Sequence, residues 1–182
     1  MRETLAFSLG TLCLVLFSWR TFRHPGSHGF YRFFAAEAML ALIITNAAVW
    51  FHDPLRPRQL VSWLLLFAAL VLAVHGFVLL HRRGKPNADQ ENNADFVFEK
   101  TTTLIRSGAY KYIRHPLYTS LLLLTWGALL KHVTLVALSL AACATAFLVA
   151  TALAEEQENL ARFGEAYATY SRTTKRFIPF LV

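Results

Sequence analysis

Cysteine is scarce in this chain, and its scarcity excludes two classes of small protein. The sequence has 2 cysteines in 182 residues, Cys13 and Cys143, which lie in separate apolar runs and outside any C-x-x-C pair. A disulfide scaffold or a zinc module needs several cysteines at short spacings. We therefore expect neither a disulfide framework nor a metal site, and we interpret both cysteines as small residues of the apolar core.

Charged residues are also few. They make up 16% of the chain, whereas 55% is hydrophobic, and the mean hydropathy is +0.41. A soluble domain of this size must cover its surface with polar side chains, so these proportions are not typical of one. The apolar residues also form long runs, which is the pattern that a hydrocarbon solvent requires. The composition predicts an integral membrane protein.

Five apolar runs can be distinguished, and we expect each to form a transmembrane helix of a single all-α domain over residues 1–182. A helical crossing needs about 20 residues, with a lower limit near 17. The third and fifth runs are the ones longer than 20 residues. The expected spans are 4–22, 33–51, 60–80, 116–131 and 132–154. After them we expect a helical tail with one apolar stripe, formed by Leu160, Phe163, Tyr167 and Tyr170.

The basic residues predict how the helices are oriented. The net charge is +7, and in membrane proteins Lys and Arg collect in cytoplasmic loops beside anionic lipids. If the N-terminus lies outside and the C-terminus in the cytoplasm, all but four of the 18 basic residues are cytoplasmic. The four are Arg2, Arg56, Arg58 and Lys131. Membrane lipids are then the expected partners, and nucleic acid is not, because no recognition motif accompanies the charge.

One polar stretch between the runs, residues 96–118, contains residue types that suit ligand binding. Gly108 allows a backbone to approach a ligand closely, and an Arg-His pair precedes Pro116 at the predicted start of a helix, whose free N–H groups favour anions. Glu155 and Glu156 end the fifth run at the same membrane face. Such residues are also ordinary interfacial anchors, so composition alone leaves both interpretations open.

The order of these residues is more specific than their composition. Gly108-x-Tyr110-x-x-x-Arg114-His115-Pro116-x-Tyr118 is followed by a hairpin, then by Glu155-Glu156 and Phe163-Gly164-x-x-Tyr167-x-x-Tyr170. This order resembles the isoprenylcysteine carboxyl methyltransferase (ICMT) family, and bacterial phospholipid N-methyltransferases share part of it. The resemblance is close over residues 96–180. Gly29-Phe30-Tyr31-Arg32-Phe33-Phe34 also looks like bacterial members, which implies a bacterial inner membrane.

The resemblance implies a cytoplasmic site for S-adenosylmethionine between residues 96–118 and residues 155–180. The residues that would bind this cofactor are Thr102, Thr103, Leu104, Ile105, Tyr110, His115, Leu117, Tyr118 and Glu155. The residues expected to act in catalysis are Arg114 and Glu156, the latter as a base for an amine acceptor. The expected activity is methyl transfer to a lipophilic substrate that enters sideways from the bilayer.

The acceptor is less narrowly defined. Carboxyl O-methylation of an isoprenylcysteine-like or other lipid acceptor is the first expectation, and N-methylation of a phospholipid or amine is the alternative. Eukaryotic family members carry an arginine one turn before the acidic pair, where this chain has Thr151, so Arg106 or Arg114 would have to replace it. A non-catalytic transporter or scaffold is the alternative from another class.

Two polar residues of the second run are candidate substrate-binding residues, Glu37 and Asn46. Intramembrane carboxylates are costly and often functional, and we expect Glu37 about one turn from the cytoplasmic side. Glu37 could instead pair with Arg32. Asn46 and His75 are better explained by hydrogen bonds between helices. A transporter would need polar residues through several helices. Only Asn46 and His75 come close to that pattern, which favours a site at one membrane face.

Overall fold

A computed structural model describes residues 1–83 and 103–181, and every regular element in these ranges is helical. One isolated backbone bridge joins Ile113 to Lys175. The helices are α1 (Arg2–Phe17), α2 (His28–Asn46), α3 (Pro57–Arg83), α4 (Pro116–Leu129), α5 (Leu135–Phe163) and α6 (Glu165–Thr173). This confirms the all-α fold class. Thr102 and the rest of residues 96–102 lie outside the described residues.

Within residues 1–83 and 103–181, three helical segments are long and apolar enough to cross a membrane: His28–Val49, Pro57–Arg83 and Leu135–Phe163. The first joins α2 to a short 3-10 helix, and the other two are α3 and α5. Helix α4 is apolar but has 14 residues, and α1 has 16. The structure therefore agrees with an α-helical membrane protein.

Several of the expected boundaries were wrong. Helix α1 ends at Phe17 and a 3-10 turn follows at Thr21–Arg23, so no single helix runs over 4–22. Helix α2 begins at residue 28 because the Ser27 hydroxyl accepts from the Phe30 N–H and caps it. Helix α5 continues well past 154, since polar residues end an apolar run without ending a helix.

The core lies between two pairs of helices, because α2 packs along α5 and α3 packs along α4. The buried face of α5 is made of small residues at intervals of three and four, which lets the backbone of α2 come close. The small residues are Ala137, Ala141, Ala144 and Ala152, and the larger Leu148 lies on the same face. The outward faces of α1 and α3 carry many exposed leucines and phenylalanines, as expected for helices surrounded by lipid.

Cys13 and Cys143 are both exposed, so their interpretation as core residues was wrong. Lipid-facing and core-facing positions of a membrane helix are equally apolar, because lipid tails offer the same environment as leucine side chains. An apolar sequence context therefore does not distinguish the two positions.

Polar contacts join the helices at the end where α4 turns into α5. Lys131 is 1% exposed, donates to the Gln59 side-chain oxygen at 3.2 Å, and lies 3.2 Å from the centre of the Trp63 ring and 5.4 Å from that of Trp50. We call these four residues the Lys131 clamp. The Asn46 amide donates to the carbonyl of Ala128 at 2.8 Å nearby, which is the helix-to-helix bond that its alternative interpretation predicted.

Glu37 lies near the middle of α2, because the helix begins five residues before the apolar run. Its expected place, about one turn from the cytoplasmic side, stays a prediction. The Thr11 hydroxyl of α1 donates to one carboxylate oxygen of Glu37 at 3.0 Å, and the other oxygen is buried without a partner.

Candidate active site

Residues 103–115 lead into α4 and are docked on α3 through Gly108. This glycine has φ +62°, and a Cβ there would lie 2.5 Å from Leu79 Cδ1 and 2.7 Å from His75 Nε2. The Ala109 N–H donates to His75 Nε2 at 3.3 Å. His75 was expected to bond another transmembrane helix, but the structure gives it this backbone partner instead. The close approach requires a residue without a side chain.

The tail after α6 lies beside the same segment and fixes its last residues. The Lys175 N–H donates to the Tyr112 carbonyl at 3.1 Å, and the Arg114 N–H donates to the Lys175 carbonyl at 2.7 Å. The His115 N–H donates to the Arg176 carbonyl at 3.1 Å. His115, directly before α4, is thus held by residues about sixty positions later in the chain.

A turn at Gly164 brings α6 over the site. Gly164 has φ +55°, and the chain changes direction there between α5 and α6. Tyr167 and Tyr170 are buried, and the Tyr170 hydroxyl donates to the Tyr110 carbonyl at 2.7 Å. Leu160 is 43% exposed. The expected continuous stripe from Leu160 to Tyr170 was therefore wrong, because the glycine interrupts the helix.

Glu156 lies at the centre of an ionic cluster. Its carboxylate accepts from Arg114 Nε at 2.8 Å and from Arg176 Nε at 3.1 Å, and it lies 3.3 Å from His115 Nε2. Arg114 also donates to the carbonyls of Ser171 and Thr174. The cluster ties the start of α4 to α5 and to the tail, and it occupies the acceptor positions of Glu156.

Glu155 is more open than its neighbour. Its carboxylate lies 3.7 Å from His115 Nδ1, and its side chain is 33% exposed. The side chain of Tyr118 hydrogen-bonds to it as well. The His115 ring is buried and stacks on Tyr118 with 5.4 Å between ring centres. Burial alone would lower the pKa of His115, but the hydrogen bonds and charges of Glu155 and Glu156 raise it above its ordinary value.

A second His–Glu pair lies beside this cluster. His28 Nδ1 is 2.6 Å from a Glu158 oxygen, and the His28 N–H donates to the other oxygen at 3.1 Å. The pair joins the start of α2 to α5 near the acidic pair. No local pattern predicts this pair, because the two residues are 130 positions apart.

A cavity of about 90 Å³ lies between these elements. Eight residues expected to bind the cofactor line it: Thr103, Leu104, Ile105, Tyr110, His115, Leu117, Tyr118 and Glu155. Arg114 lines it too. The ninth, Thr102, lies outside the described residues. Glu156, Glu37 and Asn46 are not among the lining residues. The roles of all of these residues in binding and catalysis stay predictions.

Five lining residues were not expected from the sequence: Leu80, Asn159, Phe163, Tyr167 and Tyr170. A helical signal was available for two of them, since Glu155, Asn159 and Phe163 follow one another at intervals of four and so share one face of α5. The tyrosines of α6 carried no such signal, because their position depends on the turn at Gly164.

Comparison with known proteins agrees with the motifs. Residues 86–162 match the model of the isoprenylcysteine carboxyl methyltransferase (ICMT) family. No curated protein sequence and no solved structure matches the chain. The matched region contains the segment that leads into α4 and the acidic pair of α5, which supply most of the cavity wall. Over residues 86–162 this membrane protein is therefore related to the ICMT family of methyltransferases, as its motifs predicted.

Proposed function

We propose that the protein transfers a methyl group from S-adenosylmethionine to a lipophilic acceptor held in the membrane. The observation that carries this proposal is the cavity itself. Its walls come from the RHPxY segment and from the acidic pair of α5, two motifs separated by a hairpin, and both lie in the region that matches a methyltransferase family.

The lining residues suit this cofactor chemically. Tyr110 and Tyr118 offer aromatic faces, which suit an adenine ring and a sulfonium cation. Glu155 offers a carboxylate that can accept from hydroxyl or amine groups. The Tyr167 hydroxyl is buried without a hydrogen-bond partner, and a buried polar group in this state is explained by a ligand that completes it. When bound, S-adenosylmethionine supplies an electrophilic methyl group on a positively charged sulfur.

The residues of this chain contribute more by positioning the reacting groups than by transferring protons. Glu156 already accepts from Arg114 and Arg176 and contacts His115. We therefore propose that it positions these side chains and that it is not a base. An ionised carboxylate acceptor needs no base, since in-line placement of the reacting groups supplies the rate enhancement. Arg114 lines the cavity while it is anchored to the tail, so it would orient the groups around it.

The contacts of Arg106 and Arg114 limit which acceptor the site can bind. Thr151 is fully buried and its hydroxyl donates to the Phe147 carbonyl within α5. It therefore cannot bind the carboxylate of a substrate. Arg106 donates to the Ala166 carbonyl at 2.7 Å, and Arg114 holds Glu156. We propose an acceptor that lacks the prenylcysteine carboxylate contact. N-methylation of a phospholipid or amine stays the second candidate: a neutral amine acceptor needs no arginine, and the proton of the methylated product would pass to water.

We also propose five membrane crossings, with the N-terminus outside and the site at the cytoplasmic face of a bacterial inner membrane. The asymmetry of basic residues supports this orientation, and the shorter helices α1 and α4 would cross together with their flanking residues. Labelling of a cysteine introduced as Asn92→Cys, in intact cells, tests it. Reaction with an impermeant reagent added outside would overturn the topology.

Calorimetry on the purified protein tests the cofactor site. We expect S-adenosylmethionine to bind, and we expect Glu155→Gln to weaken binding roughly ten- to hundred-fold, because a charge-assisted hydrogen bond contributes about 1.5–3 kcal/mol. Glu165→Gln is the matched control, since Glu165 is exposed on α6 and should leave affinity unchanged. Unchanged affinity in a folded Glu155→Gln variant would remove this residue from the site.

A further inference from the structure

The Tyr167 hydroxyl is an unusual feature of the cavity wall. Tyr167 is 4% exposed, and its hydroxyl oxygen is buried without a hydrogen-bond partner. Asn159 lies close enough to influence the pKa of this hydroxyl, yet the two side chains lack the geometry of a hydrogen bond. Tyr170, which is buried in the same wall, donates its hydroxyl hydrogen to the Tyr110 carbonyl. Because buried hydroxyls are nearly always paired, Tyr167 indicates a missing polar partner.

The surroundings of Tyr167 offer acceptors. Glu155 and Asn159 are one helical turn apart on α5, and all three residues line the same cavity. Glu155 is one-third exposed and has His115 and Tyr118 as neighbours, and two carboxylate oxygens can still accept from a further donor. Burial, followed by the charges of Glu156 and Glu155, raises the pKa of Tyr167 far above its ordinary value. The hydroxyl therefore stays neutral and can accept through its oxygen.

Glu155, Asn159 and Tyr167 each present an acceptor oxygen to the cavity. Together they match a group with three N–H donors. A primary ammonium is such a group, and the carboxylate of Glu155 also supplies the opposite charge. Resting on the proposed function, we propose that Glu155, Asn159 and Tyr167 form the subsite for the α-ammonium group in the amino-acid part of S-adenosylmethionine. The nucleoside part would then lie toward Tyr110 and Tyr118.

The test compares three ligands by calorimetry on the whole protein. S-Adenosylhomocysteine has the ammonium and the carboxylate, its decarboxylated analogue keeps only the ammonium, and 5′-methylthioadenosine has neither. Tyr167→Phe removes one oxygen and keeps the ring. We expect it to weaken the first two ligands about five- to tenfold, which is the usual loss for one hydrogen bond, and to leave 5′-methylthioadenosine unchanged.

Tyr112→Phe is the matched control, because Tyr112 is 48% exposed and is not among the cavity-lining residues. Its affinities should equal those of the unmodified protein for all three ligands, and thermal melting should show both variants folded. An equal loss for all three ligands would place the hydroxyl on the nucleoside. A loss confined to S-adenosylhomocysteine would place it on the carboxylate, and no loss would remove it from the site. Each of these results overturns the proposal.

Failure of the proposed function gives a different result. In that case none of the three ligands binds the unmodified protein, so the comparison between variants never arises. Binding of all three to the unmodified protein, followed by the wrong pattern in Tyr167→Phe, would overturn the ammonium subsite alone.

Discussion

Gly108→Ala should lower the stability of the protein through two separate effects at one position. The φ of +62° is unfavourable for any residue with a Cβ, which costs about 1–2 kcal/mol. The added Cβ would also lie 2.5 Å from Leu79 Cδ1 and 2.7 Å from His75 Nε2. Leu79 can rotate its methyl group away, but His75 accepts the Ala109 N–H and cannot move without losing that bond. Overpacking of this kind costs about 1–3 kcal/mol.

The expected total for Gly108→Ala is therefore roughly 2–5 kcal/mol. Gly26→Ala provides a matched control, because Gly26 has φ +90° but nothing lies within 4 Å of its added Cβ. That variant should lose only the conformational part, about 1–2 kcal/mol. Thermal unfolding in detergent measures both variants, and calorimetry measures ligand binding. Equal losses in the two variants, or a Gly108→Ala protein with normal stability and binding, would refute the docking of this segment through Gly108.

Three further outcomes are expected. Arg176→Ala should cost about 1 kcal/mol of stability in thermal unfolding, because its half-exposed guanidinium holds Glu156 while other partners remain; a larger loss would show that those partners depend on it. The raised pKa of His115 means that its protonation stabilises the fold below its unfolded value of 6.5 and that this contribution is lost as pH rises through the folded pKa. The melting temperature should thus fall as the pH rises above 6.5. A His115→Gln protein whose melting temperature falls with pH at the same slope would contradict this. Lys131→Met should lower stability by about 1–2 kcal/mol by removing the contacts with Trp63 and Gln59, while calorimetry should show unchanged ligand affinity.

Much of the site was predictable because its residues lie in short, ordered motifs. The segment from Gly108 to Tyr118 and the acidic pair carry the family pattern, and most of the residues expected there line the cavity. The all-helical class was predictable because long apolar runs have few alternatives in a membrane.

Other features depend on distant parts of the chain and left no local pattern. Arg176 reaches Glu156 only because the tail pairs with residues 112–115, and Tyr167 enters the cavity wall only after the turn at Gly164. The start of α2, five residues before the apolar run, was not predicted for a simpler reason. Polar residues at a helix start do not show in a hydropathy run, although they add turns to the helix.

The bridge between Ile113 and Lys175 has a consequence for how the protein is made. Helices α1 to α5 all precede residue 175 in the chain, so they are synthesised before one half of this bridge exists. Until the tail is added, Arg114 lacks its carbonyl partners at Ser171 and Thr174, and the N–H of His115 lacks the Arg176 carbonyl. A chain truncated after α5 would therefore have an unfinished cavity wall. The cavity can reach its final form only once residues 171–176 have been made.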